Sequence, residues 1–213
     1  MTHTLHRYGT PEELKTDWVV LSICSKGIND VGSGPKMYRF CELAIKNNAV
    51  TLGGTKTSEF LEGSREAFLK TVDPGDDSTM AVQATFNTEE DVAQFIKDLK
   101  EAELGISVVV SGLTDRVDHI CKCAGTPHHM VTNSLGVWGK TDKLPKNEDV
   151  LAIITQCGHS MISEQHVLDL AEKIKKGTTT ARKAAMELAY DCPCGIVNPD
   201  RTERLLNAVA NAL

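Results

Sequence analysis

The sequence predicts an α/β protein with a mostly parallel sheet, flanking helices and a C-terminal helical segment that contains cysteines. Two patterns lead to this fold class. Through the first two-thirds of the chain, short apolar runs typical of buried strands alternate with amphipathic helical segments, an order that favours a parallel sheet covered by helices. From about residue 146 the pattern changes to one helical segment after another. We therefore expect an α/β domain over residues 1–145 and a helical segment over residues 146–213 that completes a cysteine-rich site.

The predicted strands of the first part are short runs of apolar residues. They cover residues 18–24, 49–52, 79–86, 106–110 and 130–132. A first helix is predicted to open at Pro35, because proline favours the first turn of a helix. A second helix follows Asn87, which has Glu90 at the capping-box spacing, and a third covers residues 114–123.

The C-terminal part contains further helix signals. Residues 149–155 fit a strand or a helix equally well, because the apolar run is too short for its periodicity to decide. Three N-cap signals mark the helices that come next. They are Ser163, Thr179 or Thr180, and Asn198 followed by Pro199.

The composition limits the classes of function. The 213 residues carry a formal charge of −6 and only 5% of them are aromatic, so the chain lacks the basic surface and stacking side chains with which proteins bind nucleic acid. The first residues lack the apolar core of a signal peptide, and no run approaches the roughly 18 apolar residues of a membrane span. We expect a cytoplasmic protein whose partner is a small-molecule substrate or a redox protein, with no nucleic acid and no membrane.

The cysteine content points to thiol or metal chemistry. Seven cysteines in a chain without an export signal favour reduced thiols, metal ligands or redox chemistry over a disulfide framework. Cys24 falls in an apolar strand pattern and Cys41 in a helix pattern, so both fit buried core positions. The remaining cysteines are the candidates for a functional site.

Two segments concentrate thiols and an imidazole near helix ends, namely Cys192-Pro193-Cys194-Gly195 and Cys157-Gly158-His159. In an extended backbone the Cα atoms of Cys192 and Cys194 would lie about 6.6 Å apart, which is unfavourable for a single tetrahedral zinc ion. The thiolates of an iron–sulfur cluster bind different irons, so we expect a [4Fe-4S] cluster on Cys157, Cys192 and Cys194. A tight turn at Pro193 would close the gap between the two sulfurs.

Other interpretations of the same cysteines stay open. A zinc ion would find a complete tetrahedral set in Cys157, His159, Cys192 and Cys194, as in a zinc-stabilised binding module. The Cys192 and Cys194 pair would also suit thiol–disulfide or persulfide chemistry without a metal, activated by the helix that begins next to it. The alternative without a functional role is that both residues are small buried apolar side chains.

A cluster held by three cysteines leaves one iron open to a substrate. An open iron acts as a Lewis acid, which favours lyase, dehydratase or sulfur-transfer chemistry. His128, His129 and His159 are then the candidate catalytic proton donors.

Cys123 is the candidate fourth ligand, and its binding would close the cluster. On a helix, Cys121 and Cys123 point about 200° apart, so at most one of them faces the site. His119 and Cys123 are four residues apart and share a helix face.

A glycine-rich loop over residues 25–34 lies between the first predicted strand and the helix that opens at Pro35. Such a position offers backbone amides and a helix N-terminus to an anion. The candidate cofactor-binding residues are Lys26, Gly27, Gly32 and Gly34. The spacing matches neither the dinucleotide fingerprint nor the Walker A motif, so a tight turn without a ligand is the alternative.

Overall fold

The computed structural model describes residues 7–72, 81–134 and 136–213, and within them four strands form one sheet. In chain order the strands are β1 (Trp18–Ile23), β2 (Thr51–Gly54), β3 (Ala81–Phe86) and β4 (Ser107–Ser111). The helices of these residues are α1 (Pro11–Leu14), α2 (Gly34–Lys46), α3 (Arg65–Val72), α4 (Glu89–Ala102), α5 (Thr114–Cys123), α6 (Glu148–Ile154), α7 (Glu164–Lys175), α8 (Ala181–Tyr190) and α9 (Pro199–Ala212).

The sheet has the strand order β2-β3-β1-β4, and every neighbouring pair of strands is antiparallel. In the register of the central strands, Val20 of β1 lies opposite Ala84 of β3 and Val110 of β4. Leu52 of β2 lies opposite the same Ala84. The prediction of a mostly parallel sheet is therefore wrong, and the described part of the chain is a mixed α/β protein with one small antiparallel sheet.

The connections explain why the alternating pattern was misleading. α2 connects β1 to β2, and α4 connects β3 to β4. In each case the two connected strands run in the same direction with an antiparallel strand between them, which is the split β-α-β arrangement of ferredoxin-like sheets. Strands and helices alternate along the chain in both topologies, so this alternation does not distinguish an inserted strand from a parallel neighbour.

Alternate residues of the strands face two different cores. Val20 and Leu52 pack toward α2 and α4, where Phe40 and Phe95 meet edge to face with ring centroids 5.0 Å apart. Val19, one residue earlier in β1, belongs to the core formed with the C-terminal helices. The sheet therefore has a helical layer on each face, and the second layer is made of α6 to α9.

The C-terminal helices begin at the predicted caps. The side chains of Ser163, Thr180 and Asn198 each accept a hydrogen bond from a backbone amide in the first turn of α7, α8 and α9, respectively. Of the two alternatives for residues 149–155, the helix is the one observed. The three N-cap predictions are confirmed.

Two local predictions are wrong. Residues 130–132 form no strand in the described structure. α4 is capped by Thr88, whose hydroxyl accepts a first-turn amide, and not by Asn87. Asn87 donates instead to the Asp200 carboxylate at 2.6 Å and accepts from the Asn198 side chain at 2.9 Å, so it joins the end of β3 to the start of α9.

Residues 79 and 80 of the predicted third strand lie outside the described residues. α1 and α3 had no predicted counterpart. Among the described residues, no helix combines the length and the apolar character that crossing a bilayer requires.

Candidate functional site

The Cys192-Pro193-Cys194-Gly195 segment forms a tight turn between α8 and α9. The Gly195 amide donates to the Cys192 carbonyl at 3.0 Å, which places Pro193 at the second position of a four-residue turn, where proline is favoured. Gly195 has φ +65°, a conformation that suits glycine. The turn brings the sulfur atoms of Cys192 and Cys194 to 3.7 Å from each other. The extended geometry used to separate the two thiols is therefore wrong.

The two cysteine-bearing segments meet in a continuous row of contacts. We call it the thiol row, and it consists of Cys157, Cys192, Cys194 and His159. The thiol of Cys157 is hydrogen-bonded to that of Cys192, and the Cys194 sulfur lies 3.5 Å from His159 Nδ1. The three cysteines are only 2%, 0% and 6% exposed in that order, whereas His159 is exposed. The thiol row therefore runs from the interior to the surface, which it reaches at His159.

The three thiols differ in acidity. The hydrogen bond with Cys192 and burial raise the pKa of Cys157. The hydrogen bond with Cys157 lowers the pKa of Cys192, but the bond with Cys194 and burial outweigh it and raise that pKa to about 11. The hydrogen bond from Cys192 lowers the pKa of Cys194 against the opposing effect of burial. Cys194, next to His159, is therefore the thiol of the row that loses its proton most easily.

The thiol row is a chain of pairwise contacts. Among the described residues, no group of three or more His, Cys, Asp and Glu side chains has the geometry of an assembled metal site. The row places three thiols and one imidazole within reach of each other, but its end members, Cys157 and His159, contact different neighbours.

The sheet holds the turn through its backbone. A Cβ atom on Gly53 of β2 would lie 2.0 Å from the Cys194 carbonyl oxygen, so only glycine permits this approach. The Gln83 amide of β3 donates to the same carbonyl oxygen. The Thr51 hydroxyl donates to the Gly195 carbonyl at 2.6 Å. Contacts with β2 and β3 thus fix the position of Cys194 on the sheet.

Two arginines and one aspartate form a buried charged group beside the thiol row. Arg7 and Arg201 each donate to the Asp17 carboxylate at 2.7 Å, and all three side chains are 6% exposed or less. Burial lowers the pKa of Arg7, while the charges of Asp17 and Cys192 act in the opposite direction. Arg7 Nε has no hydrogen-bond partner among the described residues. The group carries two positive charges against one negative charge, so it favours negative charge on Cys192, the thiol with which Arg7 interacts.

The same buried group ties the two cysteine-bearing segments together. Gln156, which precedes Cys157, accepts from the Asn198 amide at 3.0 Å and from Arg7 at 3.3 Å. Arg7 also donates to the Ile196 carbonyl, two residues beyond Cys194 in the chain. These bonds fix the distance between the segment before α7 and the segment before α9.

Cys123, the candidate fourth ligand, lies elsewhere. It ends α5, where its sulfur is exposed and lies 3.7 Å from His119 Nε2. The buried residue of α5, Ile120, belongs to the core on the opposite face of the sheet from the thiol row. The prediction that His119 and Cys123 share a helix face is confirmed, and the structure does not bring Cys123 to the other three cysteines.

The candidate proton donors are also divided. His128 and His129 lie in the exposed segment after α5, and His128 Nδ1 contacts the Asp118 carboxylate at 3.1 Å. Only His159 contacts a cysteine of the thiol row. As a group, the three histidines are not arranged around one substrate position.

The glycine-rich loop satisfies its own backbone. The Asn29 side chain accepts the Ser25 amide at 2.7 Å, and the Asp30 side chain accepts the Gly27 amide at 2.8 Å. Gly27 and Gly32 have φ +76° and +71°. This backbone conformation alone explains why glycine occupies both positions, without a ligand. Gly34 begins α2 and Lys26 is exposed. Anion binding by this loop stays a prediction.

A surface cavity of about 670 Å³ lies along α8. Its wall includes Phe60, His166, Tyr190 and Asp191, the last of which directly precedes Cys192. No member of the thiol row lines this cavity, so the cavity does not open onto the thiols.

Sequence reasoning missed the residues that position the thiols. Gly53 had a usable signal, because a glycine inside a strand often marks close approach of another backbone. Gln83, Arg7 and Asp17 had no such signal, because each of these side chains contacts residues in another segment of the chain.

The fold and the site together define a mixed α/β protein in which a split β-α-β sheet supports a buried row of three thiols. No protein-family model matches the chain, and the searches of curated proteins and of solved structures also found no match. The residues of the site are therefore the basis on which a function can be inferred.

Proposed function

We propose that this protein binds one metal ion, with zinc the best match, through Cys157, Cys192, Cys194 and His159. The 3.7 Å separation of the Cys192 and Cys194 sulfurs carries this proposal. A tetrahedral ion with Zn–S bonds of about 2.3 Å holds two thiolate sulfurs about 3.8 Å apart. The Pro193 turn thus gives the pair the spacing of two ligands to a single ion.

The same spacing argues against our sequence-based preference for a [4Fe-4S] cluster. The thiolates of such a cluster bind different irons and lie at separate corners, so they are farther apart than two ligands of one ion. The preference depended on an extended Cys192–Cys194 segment, which the turn replaces. A cluster with an open iron, and the lyase chemistry it would support, becomes one outcome of the metal analysis described below.

The surrounding charges favour a metal–thiolate centre. Three thiolates, a neutral imidazole and a divalent ion sum to one negative charge, and the adjacent group of Arg7, Asp17 and Arg201 carries one positive charge. Binding also requires the thiols to lose their protons, so it tightens as pH rises. Completing the tetrahedron requires Cys157 and His159 to turn toward the central pair, and the exposed position of His159 leaves room for its part of this movement.

A centre with four protein ligands has no open position, which is typical of structural metal sites. Here it would fasten the α6–α7 connection to the turn between α8 and α9, and thereby to the sheet. The protein is then a zinc-stabilised binding module of a reducing compartment such as the cytoplasm. All seven cysteines are free in the structure, which supports that compartment.

The metal content of anaerobically purified protein tests the proposal. We expect one zinc ion per chain, and we expect Cys157→Ser, Cys192→Ser and Cys194→Ser each to lose most of it. Cys24→Ala and Cys41→Ala are the controls, because both residues are buried cysteines of the opposite core, and they should keep the metal. Brown protein that contains iron and sulfide would contradict the zinc proposal and identify an iron–sulfur cluster instead.

A second function is favoured by the lowered pKa of Cys194, which lies between Cys192 and His159. Such a thiol suits thiol–disulfide or persulfide chemistry, with Cys192 as the resolving partner. This candidate predicts colourless, metal-free protein in the same analysis, and it predicts that Cys194 is the first thiol of the row to be alkylated.

A further inference from the structure

A second reactive group lies on the other face of the sheet. It consists of Cys123, His119 and Glu89, and it shares no residue with the thiol row. His119 Nε2 lies 3.7 Å from the Cys123 sulfur, and His119 Nδ1 lies 2.6 Å from Glu89 Oε1. A thiol, an imidazole and a carboxylate in this order have the arrangement of an activated nucleophile, its base and the group that orients the base.

Three elements of local structure fix this geometry. His119 and Cys123 are four residues apart on α5, so their side chains lie one above the other. Glu89 begins α4, which packs against α5. Arg116, one turn before His119, holds Glu89 with two hydrogen bonds of 2.7 and 2.9 Å.

The carboxylate sets the state of the imidazole. Burial raises the pKa of Glu89, but the hydrogen bonds from Arg116 and His119 outweigh it and lower the pKa overall, so Glu89 stays charged. A charged Glu89 accepts the Nδ1 proton of His119. In the neutral imidazole that donates from Nδ1, the lone pair is on Nε2, the nitrogen that lies 3.7 Å from the Cys123 sulfur, as a base requires.

We propose that Cys123 is a nucleophilic surface thiol that is modified by small-molecule disulfides, with His119 as its base and Glu89 as a positioning residue. The S–H proton passes to His119 Nε2 while the sulfur attacks one sulfur of the disulfide. The disulfide bond breaks, and the leaving thiolate takes the proton from His119. The products are a mixed disulfide on Cys123 and one small-molecule thiol, so the exchange needs no other oxidant.

Cys121 offers an internal comparison on the same helix. Burial raises its pKa, and the charge of Asp118 acts in the same direction. It points away from Cys123, and within the described part of the chain no base lies at hydrogen-bond distance from it. Two thiols two residues apart should therefore react at different rates.

The test measures the reaction of the full-length protein with the aromatic disulfide dithiobis(nitrobenzoic acid), followed by peptide mass mapping. We expect the first equivalent of released thiolate to come from Cys123. Cys123→Ser should remove this fast phase, and Cys121→Ser should keep it. His119→Gln should slow the fast phase by about tenfold or more, whereas His128→Gln, which changes a neighbouring histidine outside the group, should leave it unchanged.

Glu89→Gln distinguishes positioning from support of the fold. If Glu89 stabilises the thiolate–imidazolium form, its replacement should move the pH–rate profile of Cys123 to higher pH, which a purely structural role would not do. His119 is exposed, so His119→Gln tests the proposal even if Glu89→Gln loosens the α4–α5 contact. An unchanged rate in His119→Gln, or a wild-type rate no faster than that of an unstructured cysteine peptide, would overturn the proposal.

Discussion

Asp17→Asn is expected to lower the free energy of unfolding by about 3–5 kcal/mol. The Asp17 carboxylate is fully buried and receives Arg7 and Arg201 at 2.7 Å each. An amide keeps the shape but removes the negative charge, so two buried guanidinium groups would face each other without a counterion. Breaking a buried ion pair from one side is costly because the remaining charge stays desolvated.

Urea unfolding at neutral pH measures this loss. Glu172→Gln is the matched control, because it also removes one carboxylate from an ion pair, here with Lys176, but both side chains are more than half exposed. The control should change stability by about 0.5 kcal/mol or less. A loss below about 1 kcal/mol in Asp17→Asn would mean that the two arginines do not depend on this carboxylate.

Gly53→Ala should lower stability by about 3 kcal/mol, the upper end of the usual cost of overpacking. The new Cβ would lie 2.0 Å from the Cys194 carbonyl oxygen and 2.6 Å from its carbon. These are backbone atoms, so the whole turn must move. If the proposed metal centre is present, displacement of Cys194 should also weaken metal binding by about tenfold to a hundredfold.

Gly54→Ala is the control on the next residue of β2. Its Cβ would face the opposite core, 3.2 Å from the Ala81 carbonyl and 3.7 Å from the Phe68 ring, so a small adjustment suffices. Both variants should be compared by urea unfolding and metal titration. Equal effects in the two variants would show that the close contact between β2 and the turn does not position Cys194.

The sequence predicted the local elements of the site better than their arrangement. Caps such as Ser163 and Asn198 depend on a few adjacent residues, and the shared face of His119 and Cys123 depends only on helical period. The direction of the strands depends on which distant segments pair, and strand–helix alternation does not encode this.

The Cys192–Cys194 pair shows where sequence reasoning reached its limit. The motif itself identifies the thiols, but it allows both the extended segment that we expected and a tight turn at Pro193. The choice between the turn and the extended strand depends on the contact of Gly195 with the sheet. A Cβ atom added to Gly195 would collide with Ser58 and with the Leu52 carbonyl. Buried partners such as Arg7 come from other parts of the chain, so the residues around the motif give no indication of them.

X-ray absorption spectroscopy at the edge of the metal that copurifies with the protein tests the central claim most directly. We predict a mononuclear centre with three sulfur ligands at about 2.3 Å and one nitrogen ligand at about 2.0–2.1 Å. Scattering from a second metal atom would identify a cluster. Oxygen or nitrogen ligands alone would show that the metal is not bound by the thiol row. Either of those results, or the absence of a stoichiometric metal, would contradict a single ion held by Cys157, Cys192, Cys194 and His159.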